Sequence, residues 1–352
     1  MAERESLLKI DGSHGEGGGA LLRTALQMSV LTQQGFRIEH IRSGTKFIGL
    51  DVEDITLIKV LASLTDAEVS GLEPGSNSLL FVPSRGPKLL KGAIKTERNE
   101  NGRGSNALVL ASSLVPVLAT AGGFSEFTVE GETFSNNSMS FDYFAGVVGT
   151  VHRKQNLFAT LEIEKAAYNR EAEGIISVEV EPSPFAGLKW ADRGRPKLMR
   201  AVISYSGFPH PVAERCIAHL QKLAQSSRQS IDADVFDLES DGPGMHCTVW
   251  TQYENGVGGA SASGTRTLRA EQLAHTAFER CFEWMTTEAS LDPIAAEHAL
   301  LPACLANESS EFKVSELTSR FLTAIWVIKQ FSPVRITVKG SQGGFGHVSV
   351  SR

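Results

Sequence analysis

The stretch Asp11-Gly-Ser-His-Gly-Glu-Gly-Gly-Gly-Ala-Leu-Leu-Arg-Thr24 concentrates residue types that handle phosphate. Five of the eight residues from Gly12 to Gly19 are glycine, so the backbone can turn where a Cβ would clash. An apolar run, 7–10, leads in, and Leu21, Leu22, Ala25, Leu26 and Val30 lead out at helical spacing. The loop therefore ends at a helix N-terminus, where free N–H groups around Gly17, Gly18 and Gly19 favour an anion. Glu16 would repel a bare phosphate. It makes sense if a divalent metal, Mg2+ or Mn2+, sits between its carboxylate and the phosphate. Arg23, one turn into the helix, could reach the same anion. The plainer alternative is a glycine-rich turn with a capping acid, since the spacing fits neither standard nucleotide fingerprint.

The elements that would position this loop repeat. Residues 5–84 read strand, helix, strand, helix, strand, strand, and the same order recurs over 92–181, with Ser105 the expected cap of a helix over 105–120. A third pass is expected at the end, with helices over 268–285, 294–305 and 318–331 and strands over 334–338 and 347–350. The fold class expected is α/β (α+β), with repeated βαβαββ units. Residues 1–185 and 261–352 form one large domain, and 186–260 an inserted small α/β domain.

A formal charge of −6 argues against a protein that coats nucleic acid non-specifically, though not against a local basic pocket. The charged first residues do not read as a signal peptide, and no apolar run is long enough to span a bilayer. Cys216, Cys247, Cys281 and Cys304 form no CxxC and read as thiols in a reducing compartment, the cytoplasm. His246 and Cys247 are adjacent, but no second cluster at metal-site spacing accompanies them.

With loop and repeats in place, the chain resembles the RNA 3'-terminal phosphate cyclase family. The resemblance rests on the opening motif 10–19 with Leu21-Leu-Arg-Thr, on Glu39-His-Ile-Arg, on Asp142-Tyr-Phe, on Asp241-Gly-Pro-Gly, on Gly258-Gly-Ala-Ser-Ala-Ser-Gly and on Phe321-Leu-Thr-Ala-Ile-Trp. It covers nearly the full length in order and spacing. It implies a chemistry in which a histidine takes AMP from ATP with metal assistance, the AMP passes to an RNA 3'-phosphate, and the neighbouring 2'-hydroxyl displaces it to leave a 2',3'-cyclic phosphate. It sends Arg23, Arg42 and Arg320 to one cleft, with Glu297 as a retained acid and Glu16 toward the metal.

The departures cluster at that cleft. The motif that starts with the family's nucleophilic histidine reads Arg320-Phe-Leu-Thr, and an arginine stays protonated and is a poor nucleophile. Glutamines of the family become Ala20 and Ala111, its Tyr-Pro-Arg-Gly-Gly-Gly becomes Tyr168-Asn-Arg-Glu-Ala-Glu, and its Asp-Gln becomes Glu297-His298. His298, where the adjacent carboxylate would raise its pKa, and His14, inside the glycine loop, are the candidate substitutes. Two functions follow as expectations. One is a cyclase-like pseudoenzyme that binds an RNA 3' end, a nucleotide or a protein partner. The other is an active enzyme, dependent on ATP and Mg2+ or Mn2+, with a different nucleophile or no covalent intermediate. An enolpyruvyl transferase shares the repeated unit, but none of its substrate motifs is present. No membrane partner is expected.

Overall fold

The computed structural model describes residues 7–135, 139–264 and 269–351. The first repeat runs β1 (Leu8–Asp11), α1 (Gly19–Thr32), β2 (Phe36–Glu39), α2 (Val52–Thr65), β3 (Glu68–Ser70) and β4 (Leu79–Val82). Its strands lie in the order β1-β2-β4-β3. The first two are parallel, which requires the crossover that α1 supplies, and the last two are antiparallel.

The second repeat has the same plan: β5 (Lys91–Ile94), α3 (Ala107–Leu118), β6 (Ser125–Gly131), then α4 (Phe141–Tyr143), a π turn over Phe144–Val148 and α5 (Gly149–Lys154), then β7 (Ala159–Lys165) and β8 (Gly174–Val180). Its sheet order is β5-β6-β8-β7. The cap of α3 is Asn106, whose side chain accepts from the Val109 N–H; Ser105, the cap expected from the sequence, stands one residue too early and its buried hydroxyl has no partner.

The third repeat opens before the insertion, with β9 (Lys189–Trp190). The chain then leaves to build β10 (Pro196–Ser206), α6 (His210–Ser226), β11 (Asp232–Asp237), β12 (Gly244–Tyr253), β13 (Gly256–Ser263) and α7 (Ala270–Met285). These strands form a separate sheet, β11-β10-β12-β13. The chain returns with α8 (Pro293–Leu305), β14 (Ser310–Val314), α9 (Ser319–Phe331), β15 (Arg335–Lys339) and β16 (Gly346–Ser351). The third sheet, β9-β14-β16-β15, matches the first two strand for strand. The βαβαββ unit therefore occurs three times, with the insertion inside the third copy between β9 and α8 rather than between the second and third copies.

Two separate apolar cores result. One joins the three repeats, from Ile10 to Val350. The other runs from Met199 to Ala289. The sequence ends the inserted unit at 260, which cuts through that second core: α7 buries Leu273, Ala277, Phe278, Cys281 and Trp284 in it, against β12, β13 and α6. Leu268, where the sequence starts this helix, lies outside the described residues, as do residues 1–6 of the expected first domain. The strand β13 is glycine-rich because bulk is excluded there. A Cβ at Gly258 would lie 2.4 Å from the Trp284 ring. No described helix is long and apolar enough to cross a membrane.

Candidate functional site

A cavity of about 430 Å³ opens where α1, α3, α8 and α9 of the repeats meet β13 and α7 of the insertion. Its charged lining consists of Arg23 from α1, Glu297 from α8, Arg320 from α9 and Arg280 from α7. Serine hydroxyls, among them Ser113, Ser140 and Ser261, and apolar side chains such as Val109, Ile294 and Leu301 complete it. Each charged group arrives on a rigid element. α8 is capped by Asp292, which accepts from the Ala295 N–H, and α9 by Thr318, which accepts from the Phe321 N–H.

The glycine loop stands beside this cavity. No side chain caps α1, whose N-cap is Gly18, so its first N–H groups stay available to an anion. Gly15 and Gly17 have φ near +60°, a conformation other residues adopt only with strain. At Gly19 a Cβ would fall 2.5 Å from Arg42 Nη2 and 2.9 Å from Arg23 Nη1, so the glycine lets both guanidinium groups lie over the start of the helix. The loop is pinned to α9: the Glu16 N–H donates to Thr323 Oγ1 at 3.1 Å.

Arg320 is held by a carboxylate. Its Nε donates to Glu297 Oε2 at 2.8 Å, while the Thr318 hydroxyl reaches the other oxygen at 3.4 Å. Burial pushes Glu297 up to about 6, Arg320 pulls it down, and the charge of Glu16 pushes it up again, so the two acids lie within electrostatic reach of each other. Arg23 lies 3.5 Å from Glu53. Arg42, expected at the same phosphate, does not line the cavity. It is spent on the N-terminus of α2, with Asp51 at 3.1 Å, Asp54 at 2.5 Å and the Gly49 carbonyl at 3.0 Å. Burial and the Asp51 charge still raise Asp54 to about 7 against the pull of Arg42.

The histidines part company. His298 lines the cavity and is partly buried, edge-on to His152 with ring centroids 6.2 Å apart and also against Phe144. Burial, then the charges of His152, Arg320 and Arg23, drive its pKa down to about 3, opposite to the rise expected from its neighbour in sequence, because the Glu297 carboxylate turns to Arg320 instead. His152 is likewise pushed down to about 4 by burial, and its Nδ1 has no partner. Both are neutral at pH 7. His14 lies outside the cavity lining and stacks flat on Trp326 at 3.8 Å. His246 is buried against Phe134, while Cys247 points to the opposite face of β12, into the second core. No group of three or more metal-ligating side chains occurs among the described residues.

The acids that replace the glycines of the 168–173 motif are paired with nearby arginines: Glu171 with Arg103 at 3.3 Å and Glu173 with Arg98 at 3.2 Å. Arg170 lies 3.6 Å from both Glu53 and Glu132. Sequence reasoning missed Arg280 and His152. Arg280 belongs to no motif, and only the packing of α7 on β13 brings it to the cavity rim.

Among the described residues three arginines and one glutamate line the cleft where three βαβαββ repeats meet an inserted unit, and the molecule is a three-repeat α/β protein with an arginine-rich cleft. The chain belongs to the RNA 3'-terminal phosphate cyclase family, whose model matches residues 14–338. Proteins named RNA 3'-terminal phosphate cyclase from Thermococcus gammatolerans and Methylococcus capsulatus are 32% and 29% identical to it, covering 98% of this chain and 98% and 96% of their own lengths. Among solved structures, the enolpyruvyl transferase NikO from Streptomyces tendae aligns over 98% of this chain and 48% of its own, at 9% identity and a TM-score of 0.37, too distant to bear on the chemistry.

Proposed function

We propose that this chain is a binding member of its family: it holds a phosphorylated RNA 3' end, or a nucleotide such as ATP, in the cavity and does not form a histidine adenylate. The observation that carries this reading is Arg320. By the resemblance of its motif it stands where the family carries its nucleophilic histidine, and its guanidinium is engaged 2.8 Å from Glu297. A guanidinium does not shed its proton at physiological pH, so it can hold a phosphoryl oxygen by paired N–H donation but cannot attack phosphorus. Arg23 and the uncapped start of α1 add donors on the same side of the cavity. Arg280 adds a charge from the insertion.

The test is covalent labelling with α-labelled ATP and Mg2+ or Mn2+, with and without an RNA bearing a 3'-phosphate. Protein-bound AMP is expected to be absent after denaturation, and the RNA end is expected to protect the cleft without being cyclised. An acid-labile adduct overturns the reading. A second reading, an active cyclase-type nucleotidyl transferase, is favoured by His298 alone: a neutral imidazole lines the cavity and keeps the lone pair that a nucleophile needs. An adduct lost in His298→Ala would establish it. Four buried, unpaired cysteines are consistent with a reducing compartment, and the cytoplasm is the location this reading implies.

A further inference from the structure

Glu16 and Glu297 come from different ends of the chain; α9 holds the Glu16 backbone through Thr323, and the charge of Glu16 acts on the Glu297 carboxyl, so the pair suggests a setting for a divalent cation. The residues present do not fit one. Glu297 Oε2 already accepts from Arg320 Nε at 2.8 Å, and its other oxygen takes the Thr318 hydroxyl at 3.4 Å. The Glu297 side chain is only 13% exposed, so its charge has little access to water and is balanced by that guanidinium. A dication would have to displace the guanidinium from this carboxylate and then sit against its positive charge, with Arg23 on the same cavity wall.

The arrangement is built into one helix. Residue 320 supplies the cation and residue 323, three positions on and therefore on the same face, anchors the Glu16 backbone through Thr323 Oγ1. α9 thus fixes the acid loop and the positive charge together.

We infer that Arg320 is the resident cation of this site, taking beside Glu297 the electrostatic place of a divalent metal ion, so that the cavity accepts a phosphoryl anion without metal. The choice of anion rests on the proposed function; the role of Arg320 as the cation does not.

The test titrates the full chain with MnCl2 alone, following free Mn2+ by electron paramagnetic resonance. The wild type shows no saturable site. Arg320→Gln, neutral and of similar reach, gains one, with affinity raised roughly tenfold or more over any residual wild-type binding, and Glu16→Gln added to it removes the gain. Arg320→Lys retains a positive charge and behaves as the wild type, which separates loss of the cation from loosening of α9. Saturable wild-type binding that Glu297→Gln abolishes, or no gain in Arg320→Gln, overturns the inference. A second arm uses AMP as the probe. Its affinity for the wild type is the same in EDTA and in MgCl2, and becomes dependent on MgCl2 in Arg320→Gln. If AMP binds neither protein, the reading of the cavity as a nucleotide site fails, and the Mn2+ titration still decides the role of Arg320.

Discussion

The Tyr143 hydroxyl donates to the Asp292 carboxylate, 2.6 and 2.7 Å from its two oxygens. The same carboxylate accepts from the Gly259 N–H at 2.8 Å and from the Ala295 N–H at 2.9 Å. One buried side chain therefore ties the second repeat, strand β13 of the insertion and the N-terminus of α8, the helix that carries Glu297 and His298. Asp292→Ala leaves all three donors unmet in a buried setting and is expected to cost about 3–5 kcal/mol. Tyr143→Phe removes one donor and leaves the other two bonds, for about 1–2 kcal/mol. Urea denaturation of the two variants measures the difference, and equal costs would mean that Asp292 acts only through Tyr143.

That junction also marks the limit of what the sequence could say. The glycine loop, α1 and most strands were legible because their signals are local: glycine runs, helical spacing, apolar alternation. The third repeat was harder to read. Its first strand, Lys189–Trp190, is two residues long and pairs with Glu311 and Phe312 across the whole insertion, so no periodicity announces it. The strand Gly256–Ser263 lacks the bulky residues of a typical strand because two tryptophans, Trp250 and Trp284, occupy the space its side chains would take. At the site, Arg23, Glu297, His298 and Arg320 all line one cavity. Arg42 and His14 were drawn off by partners close by in space, Asp51 with Asp54 and Trp326, which pattern alone could not assign.

Anion affinity should rise at low pH. Glu297 holds its proton up to about pH 6, so acidification through that value neutralises the counter-charge of Arg320 and leaves the guanidinium free for a ligand. The other titratable groups of the lining do not interfere, because His298 and His152 take up protons only near 3 and 4. Sulfate is the suitable probe, since its own charge is constant over the range. Its dissociation constant is expected to fall roughly three- to tenfold between pH 7.5 and 5. In Glu297→Gln the affinity should be high throughout and independent of pH. A pH-independent wild type would mean that Glu297 does not govern Arg320.

Gly15 and Thr323 should behave as a coupled pair. A Cβ at Gly15 would fall 2.1 Å from Thr323 Oγ1, the atom that accepts the Glu16 N–H, and φ at Gly15 is +60°. Gly15→Ala is expected to cost about 1–3 kcal/mol from backbone strain and steric conflict. Thr323→Ala alone loses two hydrogen bonds, the one its hydroxyl accepts from the Glu16 N–H and the one it donates to the Ser319 carbonyl at 2.8 Å, for about 1–2 kcal/mol. Together they should cost less than the sum, because removing the hydroxyl clears the space the methyl needs. A double-mutant cycle by chemical denaturation is expected to give a coupling of about 1 kcal/mol, and strict additivity would show that the two residues do not meet.

Asp142 opens α4 and accepts from Ser204 Oγ of β10 at 2.9 Å, so it joins the second repeat to the insertion from a buried position. Burial raises its pKa from the ordinary 3.8 to about 7, with the Ser204 hydroxyl pulling the other way. Between those two values the folded chain keeps a proton that the unfolded chain has released. Stability therefore falls as pH rises through that window, and this contribution is flat above about 7. An asparagine has the same shape and does not titrate. Whatever Asp142→Asn does at pH 5, its stability relative to wild type should improve by on the order of 2 kcal/mol by pH 8, with no further gain at pH 9. Thermal denaturation of both proteins at each pH is the measurement. A constant difference would mean that Asp142 ionises in the folded chain as it does in water, and that the burial between α4 and β10 does not exclude solvent from it.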